Sequence, residues 1–423
     1  MVSGSRIDSN KSDGAPGLII KNNEVIRYKA IPGETIVEIP EGITQIGWVA
    51  FANQHHLKRI RFPSTLKEIH RDAFKFCTSL EEIEIPEGVE LLGLRAFCGC
   101  YSLRRISLPS TLKRVARYAF AYCSSLKCID LPQGLEDIDN YTFDGCSSLC
   151  EITVPGGVKK IKEGLFIRCS SLRKVVLREG IEEVCSSTFL HCPVLEKIEW
   201  PNSLRSIDNH ICDEVRIKPF SNTLLPQRMQ GDFVMIGNGI LFEYRGSAAK
   251  VIIPQNVRII NIGAFSNNTY IRNVVAFEGL ISIGEYAFSG CSSLMDIHLP
   301  KGLKHIGYCA FEGCSSLSSV KIPGEIKSIA YQVFENCTSL YKAELCEGIE
   351  EIEWSALNGC SSLQQIRLPD GLKKICGYAF GGCTSLINVD IPKTVTEIDE
   401  EAFSSTPWLR INNCIYQSVW ESD

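Results

Sequence analysis

The sequence predicts a solenoid, a fold in which short units of one repeating pattern stack along an axis. Three observations predict it: phenylalanine returns every 23 residues, leucine keeps the same period, and a cysteine follows most of the phenylalanines at a fixed distance. A unit of 23 residues cannot bury its own apolar face, so neighbouring units must stack into one continuous core. We therefore expect one coil of chain for every 23 residues.

The phenylalanines form two series with this period: Phe51, Phe74, Phe97, Phe120, Phe143, Phe166 and Phe189, then Phe265, Phe288, Phe311, Phe334, Phe380 and Phe403. Leu357 replaces the phenylalanine within the second series, and Cys212 stands where an eighth member of the first is expected. Cys212 and Phe265 are 53 residues apart, seven more than two periods. The repeat is therefore expected to stop after the first series and to restart out of phase.

Each coil is expected to begin with a short strand. In the coil that contains Phe120, residues 103–109 read LRRISLP, and the alternation in the second half is typical of a strand with one buried face. Pro109 ends this strand because proline has no N–H for the ladder. Leu112 and Val115 form a second apolar pair, and an Ala-Phe anchor and a Cys-Ser-Ser turn lead to the next strand.

The restart has its own cap. Residues 231–265 resemble residues 17–51, and Pro254 and Pro40 lie equally far from the first phenylalanine of each series. Gly237-Asn238-Gly239 separates two apolar runs, which predicts a tight hairpin that can cover the open edge of a parallel sheet. We therefore predict two tandem arrays, each with a hairpin-like cap at its start.

These signals predict four segments. Residues 1–16 are expected to be a disordered N-terminal segment, and residues 17–218 the first array. Residues 219–230, with two prolines, are expected to be a connector, and residues 231–423 the second array with a C-terminal cap. The alternative is one continuous superhelix with a bulge at the junction.

The repeated string LP-x-x-L-x-x-I-x-x-x-A-F-x-x-C-S-S-L-x-x-I-x-L-P resembles the BspA-type (Treponema-type) leucine-rich repeats of bacterial and protozoan surface proteins. The resemblance covers about residues 18–410. It implies a leucine-rich repeat solenoid, between repeat α/β and mostly β, with a parallel sheet on the concave face and a shorter strand or turn on the convex side. It also implies a role in adhesion or protein binding.

Charge and composition argue against two classes of partner, nucleic acids and membranes. A net charge of −5 argues against nucleic acid, and no window approaches 18 consecutive apolar residues, so membrane insertion is not expected. The start, MVSGSRIDSNKSDGAPG, lacks the apolar core of a secretory signal. The chain as written is therefore expected in the cytoplasm, or at the cell surface or secreted if the native start has been removed. The sequence does not predict an oligomeric state.

Eleven of the 20 cysteines fall three residues after the phenylalanine slot: Cys77, Cys100, Cys123, Cys146, Cys169, Cys192, Cys291, Cys314, Cys337, Cys360 and Cys383. We expect this ladder to consist of reduced thiols that fill space in a turn and meet a backbone carbonyl. The one close pair, Cys98 and Cys100, has no second pair to complete a zinc site. No metal and no cofactor are predicted.

No sequence element points to catalysis. A phosphate-binding glycine loop, an HExxH and a GxSxG element are all missing from the sequence, and His191 beside Cys192 is the only adjacent histidine–cysteine pair. The chain is therefore predicted not to be an enzyme. A cysteine-dependent enzyme stays open as the least favoured alternative.

Charges between the second pair of apolar residues alternate in sign along the first array. Successive coils read Lys113-Arg114, Glu136-Asp137, Lys159-Lys160, Glu182-Glu183 and Arg205. Opposite charges one coil apart are expected to pair across neighbouring strands, each pair contributing about 0.2–1 kcal/mol. This face is predicted to be stabilising rather than a ligand site.

The candidate binding residues are those between the two buried positions of each first strand, a row that lies on the concave surface in leucine-rich repeats. They are Arg61, Glu84, Ser107, Asp130, Thr153, Val176, Glu199, Val275, His298, Lys321, Glu344, Arg367 and Asp390. Tyr331, Tyr341 and Trp354 are candidate exposed anchors, or packing residues between coils. The leading hypothesis is a non-enzymatic protein-binding scaffold, a microbial adhesin or host-interaction protein with a protein partner of unknown identity. The alternative is an intracellular scaffold subunit of a larger complex.

Overall fold

The computed structural model describes residues 16–207, 220, 223, 225, 231–323 and 325–411. The chain divides into two compact units, Met1–Met229 and Gln230–Asp423, and each is described by itself below. Cys212, the predicted N-terminal segment up to residue 15 and the two prolines of the predicted connector lie outside the described residues. The four segment boundaries drawn from the sequence stay predictions.

The first unit opens on an antiparallel hairpin, Gly17–Lys21 with Glu24–Lys29, and continues as a parallel solenoid with two strands in most coils. Its long strands are Ile36–Glu38, Arg59–Arg61, Glu82–Glu84, Arg105–Ser107, Glu151–Val154, Lys174–Leu177 and Lys197–Glu199. Its short strands are Gln45–Ile46, Glu68–Ile69, Leu91–Leu92, Arg114–Val115, Asp137–Ile138, Lys160–Ile161, Glu183–Val184 and Ser206–Ile207.

The second unit repeats this plan, and its hairpin joins Phe233–Ile236 to Ile240–Tyr244 through the predicted glycine-rich turn. Its long strands are Lys250–Ile252, Asn273–Val275, Asp296–His298, Ser319–Ile322, Lys342–Leu345 and Gln365–Arg367. Its short strands are Ile259–Ile260, Ser282–Ile283, His305–Ile306, Ser328–Ile329, Glu351–Ile352, Lys374–Ile375 and Glu397–Ile398. Residues 407–411 are helical.

The strands pair in parallel with a constant offset of one coil, for example Val175 with Ile198. Side chains alternate across each long strand, so that in Arg59–Arg61 only Ile60 is buried. The long strands and the short strands form separate sheets, and the apolar side chains of both sheets point into the space between them. The predicted leucine-rich repeat solenoid of 23-residue coils with hairpin-like caps is therefore confirmed.

The phenylalanines stack inside each unit, without a break from Phe51 to Phe189 in unit one and with a break at Leu357 in unit two. Neighbouring rings lie 4.6–5.8 Å apart between centroids and at most 17° from parallel. Leu357 is 1% exposed and fills the one slot in the second stack that has no ring. Stacked rings add to the free energy of burial, so this column is the centre of the core.

Other aromatic residues close the stacks. Tyr28 stacks on the first ring of unit one at 5.2 Å, and Tyr244 lies 5.1 Å from the first ring of unit two. Phe220 continues the first stack by packing on Phe189 at 5.8 Å, so an aromatic ring does follow the seventh phenylalanine. Trp408 ends the second stack, 4.3 Å from Phe403.

Two tight turns flank the phenylalanines from Phe51 to Phe380, and the residues two positions before and two positions after each of these rings take left-handed backbone angles. Around Phe74 these are Asp72, with φ of 56°, and Phe76, with φ of 58°. The equivalent position in the next coil is Gly99, where a Cβ atom would lie 2.2 Å from the Phe76 ring. The turns therefore bring corner residues of neighbouring coils into contact.

Candidate functional site

The thirteen candidate binding residues lie on the outer side of the long strands, which we call the long-strand face. Eight of them are exposed and five, Thr153, Val176, Glu199, Val275 and Glu344, are half-buried. The row extends one coil further towards the start of each unit, to Glu38 and to Ile252, which is 53% exposed. Both residues could have been predicted from the sequence, because each lies 23 residues before the first predicted member of the row in its unit.

Two residues of the row, Asp130 and Asp390, lie in segments that form no strand, although the sequence predicts one there. Both side chains are still exposed, because the preceding residues Ile129 and Val389 are buried, at 5% and 8% exposure. Burial of the apolar neighbour therefore fixes the outward direction even where the ladder hydrogen bonds are lost.

The structure brings three of the predicted residues together at one open cleft. The cleft has a volume of about 840 Å³ and lies over the long strands of unit two; Lys321, Glu344 and Arg367 line it, together with Lys342 and Cys346. Cys346 stands where most coils have the strand-ending proline. The rest of the row lies along the long-strand face without entering this cleft.

Charge in the cleft is arranged around Glu344. The Nζ atom of Lys342 lies 2.6 Å from its Oε1, and that of Lys321 lies 3.7 Å from its Oε2. The hydrogen bond from Lys342, followed by the attraction of that ammonium, lowers the pKa of Glu344, so the carboxylate stays ionised. Arg367 is 80% exposed and lies 3.8 Å from Glu347, so most of its side chain faces solvent.

The outer side of the short strands, which we call the short-strand face, carries the predicted ladder of opposite charges. Lys113 lies 3.4 Å from Glu136, Arg114 lies 3.1 Å from Asp137, and the next coils pair in the same way: Lys160 with Glu183 at 2.9 Å and Arg205 with Glu182 at 3.4 Å. The prediction of cross-strand ion pairs is confirmed. Because these charges are satisfied by each other, this face offers little to a charged ligand.

All eleven ladder cysteines are buried, and each Sγ–H donates to the backbone carbonyl of the residue in the phenylalanine slot of the coil before it. The distances are 3.0–3.3 Å, as between Cys146 Sγ and Phe120 O at 3.2 Å. The expected contact with a backbone carbonyl is confirmed. Burial raises the pKa of Cys77 and of Cys192 to about 12, so both thiols are neutral at physiological pH.

The three candidate anchors Tyr331, Tyr341 and Trp354 are exposed, at 46%, 46% and 47%. Tyr331 lines a second cleft in unit two, of about 520 Å³, together with Tyr286 and Tyr308. The sequence analysis missed these two tyrosines, although Tyr308, Tyr331 and Trp354 are spaced by 23 residues.

Among the residues that the structure describes, no group of three or more His, Cys, Asp or Glu side chains is placed to hold a metal ion. No helix in the same part of the chain is both long and apolar enough to cross a membrane.

Comparison with known proteins identifies the repeat. A family model described as the BspA type leucine-rich repeat region matches residues 33–119, 90–218, 236–363 and 306–417. The comparison with curated proteins gives no match.

Several solved structures are similar to the chain. A leucine-rich repeat protein from Bacteroides ovatus is 27% identical, over 92% of this chain and 95% of that one, with a TM-score of 0.46. A leucine-rich repeat protein of T. pallidum is 28% identical over 42% and 74%, with a TM-score of 0.34. A leucine-rich cell surface protein from Faecalibacterium prausnitzii is 23% identical over 96% and 99%, with a TM-score of 0.33. Since the family model matches most of its length, this chain belongs to the BspA-type leucine-rich repeat family.

Proposed function

We propose that this chain is a non-enzymatic protein-binding scaffold that acts as a microbial adhesin or host-interaction protein at the cell surface. The observation that carries the proposal is the long-strand face, where successive coils each contribute one exposed or half-buried side chain to a single row. Such a face offers a long, regular surface to a macromolecule.

The cleft of unit two is the proposed centre of binding. Arg367 lines the cleft, and Tyr341 directly precedes Lys342–Leu345, one of the strands beneath it. Arginine and tyrosine are among the residue types that most often dominate protein interfaces. Arg367 is 80% exposed and Tyr341 46% exposed, so a partner can bury both.

The thiols support a scaffold rather than a cysteine-dependent enzyme. Cys192, next to His191 in the sequence, is fully buried and its Sγ–H donates to the Phe166 carbonyl. A nucleophilic cysteine must lose its proton to become a thiolate, and it must contact the substrate. Cys192 has a pKa of about 12 and is buried, so it meets neither condition. The ladder is therefore assigned to packing.

The test measures binding of the purified chain to immobilised extracellular-matrix proteins and to host cells. Arg367→Glu should weaken binding at least tenfold, because it reverses the charge of a side chain that the bound partner would bury. Lys373→Glu is the matched control: the same charge change on the short-strand face, where Lys373 pairs with Glu350. Equal losses in both variants, or stable association only with cytoplasmic proteins of the cell that makes the chain, would contradict the proposal.

A further inference from the structure

Three cations converge on one buried carboxylate at a corner of unit one. Asp72 is 6% exposed, and its Oδ2 accepts hydrogen bonds from Arg71 Nε at 2.9 Å and from Arg95 Nη2 at 3.3 Å. Lys75 Nζ lies 3.8 Å from the other oxygen, Oδ1, and Arg95 Nε lies 3.0 Å from that same oxygen. We call these three cations and the carboxylate the Asp72 cluster.

The turns around the phenylalanine stack bring this cluster together. Asp72 and Arg95 are each two residues before a phenylalanine and 23 residues apart, so they occupy the same corner of neighbouring coils. Both have left-handed backbone angles, and the Asp72 N–H donates to the Leu94 carbonyl at 2.8 Å. Lys75 directly follows Phe74 and also lies 5.1 Å from the centre of the Phe76 ring.

The cluster has an excess of positive charge. Three cations and one carboxylate leave a net charge of about +2, whereas the buried Asp144 pairs with a single cation, Arg168, among the described residues, and that pair is neutral. Arg71 Nε and Arg95 Nη2 donate to the same oxygen, Oδ2 of Asp72, at 2.9 Å and 3.3 Å, so the two guanidinium groups are neighbours. The side chains of Arg71, Lys75 and Arg95 are 53%, 28% and 31% exposed, so a ligand can reach them.

This excess matches one class of ligand. A phosphate monoester carries a charge of about −1.5 to −2 at pH 7 and has three strong acceptor oxygens, and arginine pairs bind such groups through parallel hydrogen bonds. A sulfate ester or a phosphodiester carries a single negative charge and so matches the excess of about +2 less well. A nucleic acid backbone needs many cations in a row, and this cluster has three on a chain of net charge −5. We propose that Arg71, Lys75 and Arg95 bind a phosphate monoester, with Asp72 holding the three cations in place.

The experiment titrates the full chain by calorimetry at low ionic strength with three probes: O-phospho-L-tyrosine, O-sulfo-L-tyrosine and inorganic phosphate. Phosphotyrosine should bind, and sulfotyrosine should bind at least several-fold more weakly. Arg71→Gln and Arg95→Gln should each lower the affinity for phosphotyrosine by roughly 10- to 100-fold, the usual effect of losing a hydrogen bond to a charged group. Arg71 is the safer variant, because it is the most exposed of the three and its loss leaves Asp72 paired with Arg95.

Arg114→Gln is the control, since Arg114 has one partner, Asp137, on the short-strand face of the same unit. It should leave the affinity unchanged, and circular dichroism should show that each variant keeps the wild-type spectrum. The proposal is overturned if no probe binds, if sulfotyrosine binds as tightly as phosphotyrosine, or if Arg114→Gln is as harmful as Arg71→Gln. Inorganic phosphate that binds as tightly as phosphotyrosine would assign the site to free phosphate instead of an ester.

Discussion

Replacing Phe120 by alanine tests how the core is built. The Phe120 side chain is fully buried, and its ring stacks on Phe97 and on Phe143 at 5.7 Å on both sides. Removing a buried aromatic side chain costs about 3–5 kcal/mol, and each lost ring pair accounts for about 0.5–1.5 kcal/mol of it. We therefore expect the free energy of unfolding to fall by about 3–5 kcal/mol.

The assay is equilibrium urea unfolding of the full chain, followed by circular dichroism, with two controls. Phe120→Leu should cost less, because Leu357 shows that a leucine can fill the equivalent slot at 1% exposure. Asp130→Ala should change stability by under about 0.5 kcal/mol, since Asp130 is exposed and leaves no cavity.

The location of the damage decides between two views of the chain. Each coil contacts mainly its neighbours, so hydrogen exchange in Phe120→Ala should speed up around residues 80–150 and stay unchanged around residues 280–400. Equal loss of protection in both stretches would refute the reasoning, because it would mean that the chain unfolds as one cooperative block.

Three further predictions follow from the thiols, the second hairpin and the charge ladder. Titration of the chain with a thiol reagent after non-reducing denaturation should find the ladder cysteines reduced; recovering most of them as disulfides would contradict the packing role. Burial raises the pKa values of Cys77, Cys192, Cys291 and Cys383 to about 12 in the folded state, against about 8.5 in an unfolded chain. The stability that these neutral thiols contribute is therefore fully present below pH 8.5 and is lost as pH rises towards 12. Alkaline urea titrations measure this loss, and a ladder Cys123→Ala variant should show a shallower fall. Residues 231–423, which carry their own hairpin, should unfold cooperatively as an isolated fragment in a thermal melt, and an aggregated fragment would favour one continuous superhelix. Arg114→Glu should lower the free energy of unfolding by about 0.5–1 kcal/mol, because it places a like charge beside Asp137. This loss should shrink in 1 M salt, and Arg114→Gln should show no loss at the same salt.

The period of the sequence was enough to predict the coils, the phenylalanine anchor of each coil and the thiol ladder, because each coil repeats the same buried positions. It also predicted the ion pairs between Arg114 and Asp137 and their neighbours, since residues 23 apart become strand partners. These features depend on spacing alone, which one sequence shows directly.

Features that break the repeat could not be predicted in the same way. Phe220 packs on Phe189 from 31 residues further along the chain, so the period gave no reason to expect it there. The Asp72 cluster combines residues from three different slots of two coils, and only the turn geometry shows that they meet. The cleft over Lys321, Glu344 and Arg367 is lined by residues from four successive coils, the last of them contributing Asn388, and the spacing alone does not show that a cleft forms there.

The most direct test of the proposed function is a hydrogen-exchange footprint of the chain bound to a matrix protein that it captures. The proposal predicts slower exchange in the strands under the cleft, residues 319–322, 342–345 and 365–367, with the short strands of the same coils unchanged. Protection confined to the short strands 328–329, 351–352 and 374–375 would contradict it, because the partner would then bind the opposite sheet.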